Sequence, residues 1–146
     1  MAKQPRDSVS AVTTDGGGGP SLQLILAREL AANLATPMFL IDAEGTLVYF
    51  NEAAELMLGK RYAEVGPITA NEFGAKLEVA ELDGSPMRKR DSPPGIAFFK
   101  REPAHRTLLA TTLGGARKPF EVTAYPLFGK VDEMHGVLAV FWEAKS

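Results

Sequence analysis

The residues able to do chemistry in this 146-residue chain are few and far apart. There are no cysteines, which removes disulfides, thiolate metal sites and cysteine nucleophiles. The two histidines, His105 and His135, are distant in sequence and have no cluster of carboxylates around them, so no metal site is expected. Neither Gly-x-Ser-x-Gly nor His-Glu-x-x-His occurs, so a serine nucleophile on an elbow and a zinc protease helix are both lacking. The run Gly16-Gly17-Gly18-Gly19 leads into Pro20 without a following Gly-Lys-Ser or Gly-Lys-Thr, which makes it a linker and not a phosphate loop. An enzyme would have to work through a buried carboxylate, Asp42 or Glu121, in a small cone-shaped α+β cavity holding an apolar substrate. Both fall where a turn or an exposed strand face is expected. Arg106 could anchor an acidic ligand as a forked donor, although an arginine at a strand edge is more often surface. The chain therefore reads as non-catalytic, with no catalytic residues assigned.

The elements that would position these residues are legible from periodicity. Residues 1–20 are polar and small and read as a disordered tail. From Ser21 to residue 35 the apolar positions recur at spacings of three and four, predicting an amphipathic helix that ends before Pro37. Its stripe of Leu22, Ile25, Leu26, Leu30 and Leu34 lies outside the compact domain and suits pairing with a second copy as well as packing on its own domain. Met38 to Asp42 is an apolar strand, Ala43-Glu44-Gly45 a turn, and Thr46 to Phe50 a β-branched and aromatic strand. Asn51 is placed to cap a short helix that closes at Gly59, a position suited to the left-handed region. Residues 60–67 read as a loop or irregular helical turn, and 68–77 as a further short helix. Glu78 to Leu82 is extended and ends in the turn signal Asp83-Gly84-Ser85-Pro86. Ser92 then caps a helix over 93–101, with Ile96, Phe98 and Phe99 on its buried side. Three strands follow, at 106–113, 120–127 and 136–142, with Phe120, Val122 and Ala124 on one face of the middle one. His105 falls just past the helix and His135 in a solvated loop.

Two strands, a block of short helices and three turn-linked strands most easily make a five-stranded antiparallel sheet with the helices on one face. The space between the layers is lined by Phe73, Ile96, Phe98, Phe99, Leu109, Val122, Ala124, Ala139 and Phe141. Large aromatics fill interiors well, so a filled core is the first reading of this set. A pocket for a small apolar or weakly acidic molecule, with Arg106 at its edge, is the second.

A net charge of −2 gives no basic face, so nucleic acid is not an expected partner. No run approaches the roughly 20 apolar residues that span a bilayer, and the N-terminus lacks the apolar core of a secretory signal. No membrane partner and a cytoplasmic location are the expectation.

The order and residues of 37–143 resemble a PAS domain. MFLID, EGTLVYFN and NEAAELMLG look like the start of that family, with Asp42, Gly45, Asn51 and Gly59 at its turn and cap positions. DGSPMRKRDSPPGIAFFKRE resembles its proline-rich approach to the last helix, and FEVTAYPLF with GVLAVF its last two strands. The resemblance implies an α+β, PAS-like fold preceded by the N-terminal helix, and a role in sensing, protein interaction and signal transduction. It implies partners that are a second copy of the chain, another signalling protein or a small-molecule ligand. Relatives that trap flavin or a cinnamic chromophore covalently use a cysteine, which this chain lacks. Haem-binding relatives carry their histidine within the last helix, so haem through His105 requires that helix to run further than 93–101. No cofactor is the expectation, with a haem sensor as the alternative. The family commonly continues from its last strand into Asp-x-Thr and a signalling helix, and Glu143-Ala144-Lys145-Ser146 departs from that pattern. The chain is thus expected to be a fragment of a larger regulator or to act by association.

Overall fold

A computed structural model describes residues 22–33, 35–130 and 133–145. The expected tail and Leu34 lie outside these. The elements, in chain order, are α1 (Leu22–Ala32), β1 (Met38–Asp42), β2 (Thr46–Phe50), α2 (Glu52–Leu58), α3 (Tyr62–Val65), β3 (Ile68–Thr69), α4 (Ala70–Lys76), a 3₁₀ turn (Lys89–Asp91), α5 (Pro93–Lys100), β4 (Ala104–Thr111), β5 (Arg117–Phe128) and β6 (Met134–Glu143). The strands form one antiparallel sheet in the order β3-β2-β1-β6-β5-β4. It has six strands where five were expected. The extra one is the two-residue β3, which takes the first residues of the stretch expected to be helical and pairs with Thr46 and Leu47. The helix proper begins one residue later, where Thr69 caps it by accepting from the Glu72 N–H and the Glu72 carboxylate accepts from the Thr69 N–H.

The start of the domain is pinned by Asn51, which is 1% exposed. Its Oδ1 accepts from the Ala54 N–H at 3.0 Å, capping α2, and from the Met38 N–H at 3.0 Å. Its Nδ2 donates to the Thr36 carbonyl at 2.9 Å. Gly59 ends α2 at φ +88°, as its position suggested. Between β1 and β2 the register shifts by one residue after Leu40–Tyr49, so Val48 is extra. Leu47 and Phe50, three apart, therefore both reach the helix side of the sheet and are buried in the same core as Phe39 and Ile41.

Met38 and Leu40 point the other way and are nevertheless buried, outside the helix-side cluster. Their cover is α1, which packs against β1, β5 and β6 through the buried Leu24. The Arg28 guanidinium lies 4.5 Å from the centre of the Tyr49 ring. The N-terminal helix is therefore docked on its own domain instead of lying outside it, and its anchor, Leu24, is not a member of the expected stripe. The helix also stops at Ala32, short of residue 35, where the Asn33 side chain donates to the Glu29 carbonyl and the Asn33 N–H to the Leu30 carbonyl. Of the stripe, Leu22, Leu26 and Leu30 are exposed and Ile25 is half-buried.

Replacing Asn51 with Ala removes the cap of α2 and leaves the buried Met38 N–H without its side-chain acceptor. The expected loss is about 2–4 kcal/mol in urea unfolding.

Candidate functional site

Between the helices and the concave face of the sheet lies a cavity of about 680 Å³, within the range of roughly 300–1,000 Å³ usual for small-molecule sites. Its floor is Phe39 and Ile41 of β1, Leu108 and Ala110 of β4, Val122 of β5 and Phe141 of β6, and its roof includes Phe73 of α4 and Phe98 of α5. The aromatic rings do not fill the space because they pack on one another. Phe39 meets Phe73 edge-on at 5.5 Å between centroids, and Phe73 stacks on Phe50 at 6.0 Å. The rim carries Glu44, Asn71, Lys89 and Phe99. Phe99 is 41% exposed and sits beneath the Arg90 guanidinium, 4.2 Å from the ring centre.

Three polar side chains near this space are engaged with the protein. Arg106 donates to the Glu81 carboxylate at 2.6 Å and to the Asp91 carbonyl at 3.0 Å. It thus ties β4 to the segment before α5 and does not line the cavity. The Thr112 hydroxyl accepts from the Ala116 N–H. Ser92 caps α5 by accepting from the Gly95 N–H while its hydroxyl donates to the Lys89 carbonyl. Farther off, burial raises the Tyr62 phenol above its ordinary range, with the Arg28 charge pulling in the opposite direction.

A family model of the PAS fold matches residues 26–66. The solved structures that resemble this one agree with it over far more of the chain. A PAS domain from Colwellia psychrerythraea is 14% identical, with a TM-score of 0.60 over 83% of this chain and 96% of that one. The PAS domain of BvgS from Bordetella pertussis is 18% identical, with a TM-score of 0.58 over 85% and 87% of the two chains. The fungal blue-light photoreceptor Vivid, solved as its light-state dimer, is 18% identical, with a TM-score of 0.58 over 90% and 99%. The chain has the PAS fold. No curated protein sequence matches it.

Within this PAS fold the expected pocket set divides. Phe73, Phe98, Phe99, Val122 and Phe141 line the cavity. Ala124 and Ala139 are fully buried but lie with Ala97 in the core under α5, where small side chains let the helix approach the sheet. Ile96 is half-buried and does not line the cavity; Ala97 and Pro93 are the buried residues of α5. On β4 the expected Leu109 gives way to Leu108 and Ala110, because Leu108 stands opposite Phe120 and Arg106 opposite Val122. Directly opposed residues share a face, so with this register the face assigned to Phe120 and Val122 identifies the even-numbered positions of β4. Phe39, Ile41, Met87 and Lys89 also line the cavity and were missed. The first two alternate along an obvious strand, whereas Met87 and Lys89 reach the site through a loop with no periodicity.

The histidines stand elsewhere. β4 begins at Ala104, so His105 is a strand residue; it bonds Thr123 at 2.6 Å and Glu121 at 3.2 Å, lies 6.2 Å from the Trp142 ring, and is not part of the cavity wall. His135 lies in β6 and not in a loop, its ring against Gly129 and its Nε2 3.5 Å from a Glu133 oxygen. Asp42 spends its carboxylate on the β1–β2 turn, accepting from the Glu44 and Thr46 N–H groups. Among the described residues no group of His, Asp and Glu is arranged to hold a metal, and no helix is long and apolar enough to cross a membrane.

Ala110→Leu adds three carbons at the cavity floor. With free space beside Ala110 the variant unfolds within about 1 kcal/mol of the parent in a denaturant titration. An overpacked core would instead lose about 1–3 kcal/mol.

Proposed function

We propose that this PAS-fold chain is a non-catalytic sensor and protein-interaction module in signal transduction, taking a small apolar molecule into the cavity between helices and sheet. The observation that carries this reading is the cavity itself, an apolar space of ligand size inside an otherwise close-packed domain. No resident cofactor is proposed. Haem through His105 would need that side chain to leave Thr123 and Glu121 and face the opposite side of the sheet. Asp42 and Glu121 are not in the cavity wall, and the two carboxylates that are, Glu44 and Glu78, are exposed and not buried as a carboxylate enzyme would require. Native mass spectrometry of freshly purified protein, read with an absorption spectrum, tests the proposal. An adduct of a few hundred daltons that denaturation releases supports it, and a bare mass that no apolar probe changes contradicts it.

The module works as a homodimer through α1. Leu24 holds this helix to its own domain, while Leu26 and Leu30 stay 59% and 53% exposed on its far side beside exposed Leu22. Apolar side chains in a row on a docked helix are suited to a second copy. The double variant Leu26→Asp with Leu30→Asp leaves the Leu24 anchor intact and is expected to run at half the parent mass in light scattering. Equal monomeric masses for the two proteins would contradict the dimer.

A further inference from the structure

The rim of the cavity points to the charge of its occupant, and this step rests on the reading of the cavity as a ligand site. The two hydroxyls of the wall are engaged with the backbone, Thr112 accepting from the Ala116 N–H and Ser92 accepting from the Gly95 N–H while donating to the Lys89 carbonyl, and Arg106, outside the wall, is held by Glu81 and the Asp91 carbonyl. The part of a ligand that enters must be apolar, since a polar group buried without a partner is costly. At the rim the situation is reversed. Lys89 lies in the wall on the 3₁₀ turn, and among the described residues it takes part in no ion pair; its ammonium is 6.0 Å from the Phe99 ring centre. Its neighbour Arg88, a second cation of the same wall, is paired with Asp91 at 3.1 Å, and Glu78, a carboxylate there, faces Thr111 at 3.2 Å and Arg117 at 3.9 Å.

Lys89 is also held in place from behind. Its carbonyl accepts from the Ser92 hydroxyl at 2.9 Å and lies so close to Gly95 that a side chain there would come within 1.7 Å of it. Gly95, itself in the cavity wall, therefore lets the first turn of α5 clamp the backbone of Lys89 at the mouth. The ammonium is flexible on its stem, yet the stem leaves a fixed backbone in the cavity wall, which lowers the cost of ordering it around a ligand.

We infer that the cavity takes an anionic amphiphile, an apolar chain or ring system that enters between Phe73, Phe98 and Leu108 with its carboxylate or similar anion outside, against Lys89.

Decanoate, decanol and decylammonium, titrated below their aggregation concentrations into the full chain by calorimetry at low salt, separate the possibilities. The expected order is decanoate tightest, by about three- to fivefold over decanol, the size of an exposed ion pair, with decylammonium weakest. Lys89→Gln, an exposed substitution that leaves the core untouched, brings decanoate down to the level of decanol, and Lys89→Arg restores the preference. If decanol and decanoate bind equally to the parent, or if Lys89→Gln keeps the preference, the inference about charge is overturned while the cavity stands as an apolar site. If none of the three binds, the reading of the cavity as a ligand site falls, and this inference with it.

Discussion

The start of the domain depends on one buried amide. The Asn51 side chain joins three segments: the chain leaving α1 through Thr36, the first residue of β1 through Met38, and the first turn of α2 through Ala54. Its own N–H closes the arrangement by donating to the Met38 carbonyl at 3.1 Å. Each of these groups is taken from water, and an unmet one would cost about 1–3 kcal/mol, so the bonds act as a filter on register more than as a store of energy. β1 is the strand between β2 and β6, so fixing its first residue also fixes where the N-terminal strand pair meets the C-terminal meander. Phe39 and Ile41, the two β1 residues in the cavity floor, are placed by that same registration.

The cavity follows from how the core is divided. Aromatic residues from β1, β2, α4 and β6 pack against each other as a cluster, while alanines at Ala97, Ala124 and Ala139 draw α5 down onto the far strands. Space is left between the two, with Leu108 and Ala110 in its wall. Close packing elsewhere makes this space a property of side-chain choice and not of general looseness. On the opposite side of the sheet, α1 covers β1 with Leu24 and turns other leucines outward, so one short helix both completes the domain and offers a surface.

Much of this was legible in the residues. Strand, turn, strand and capped helix could be read from Met38 to Gly59 because each boundary has a local cause: an Asp42 turn, a capping asparagine, a glycine at φ +88°. The inner face of β5 was legible for the same reason, since alternation is local. What escaped was non-local. The phase of β4 depends on its pairing with β5, which puts Leu108 and Ala110 in the cavity wall in place of Leu109. The bulge at Val48, the two-residue β3 and the docking of α1 by Leu24 arise only once the sheet exists. Arg106 read as a forked donor, and it is one, but its partners are Glu81 and a main-chain carbonyl rather than a ligand. Lys89 carried no signal in sequence because its importance comes from the close approach of Gly95 and not from spacing.

The central claim is that the space over Ala110 is an accessible apolar cavity in a PAS fold. Diffraction from crystals pressurised with xenon tests it most directly, since apolar voids of this kind take up the gas without hydrogen bonds. The account predicts a strong xenon peak between Phe73, Phe98 and Leu108. Continuous side-chain density there, with no xenon, would contradict it.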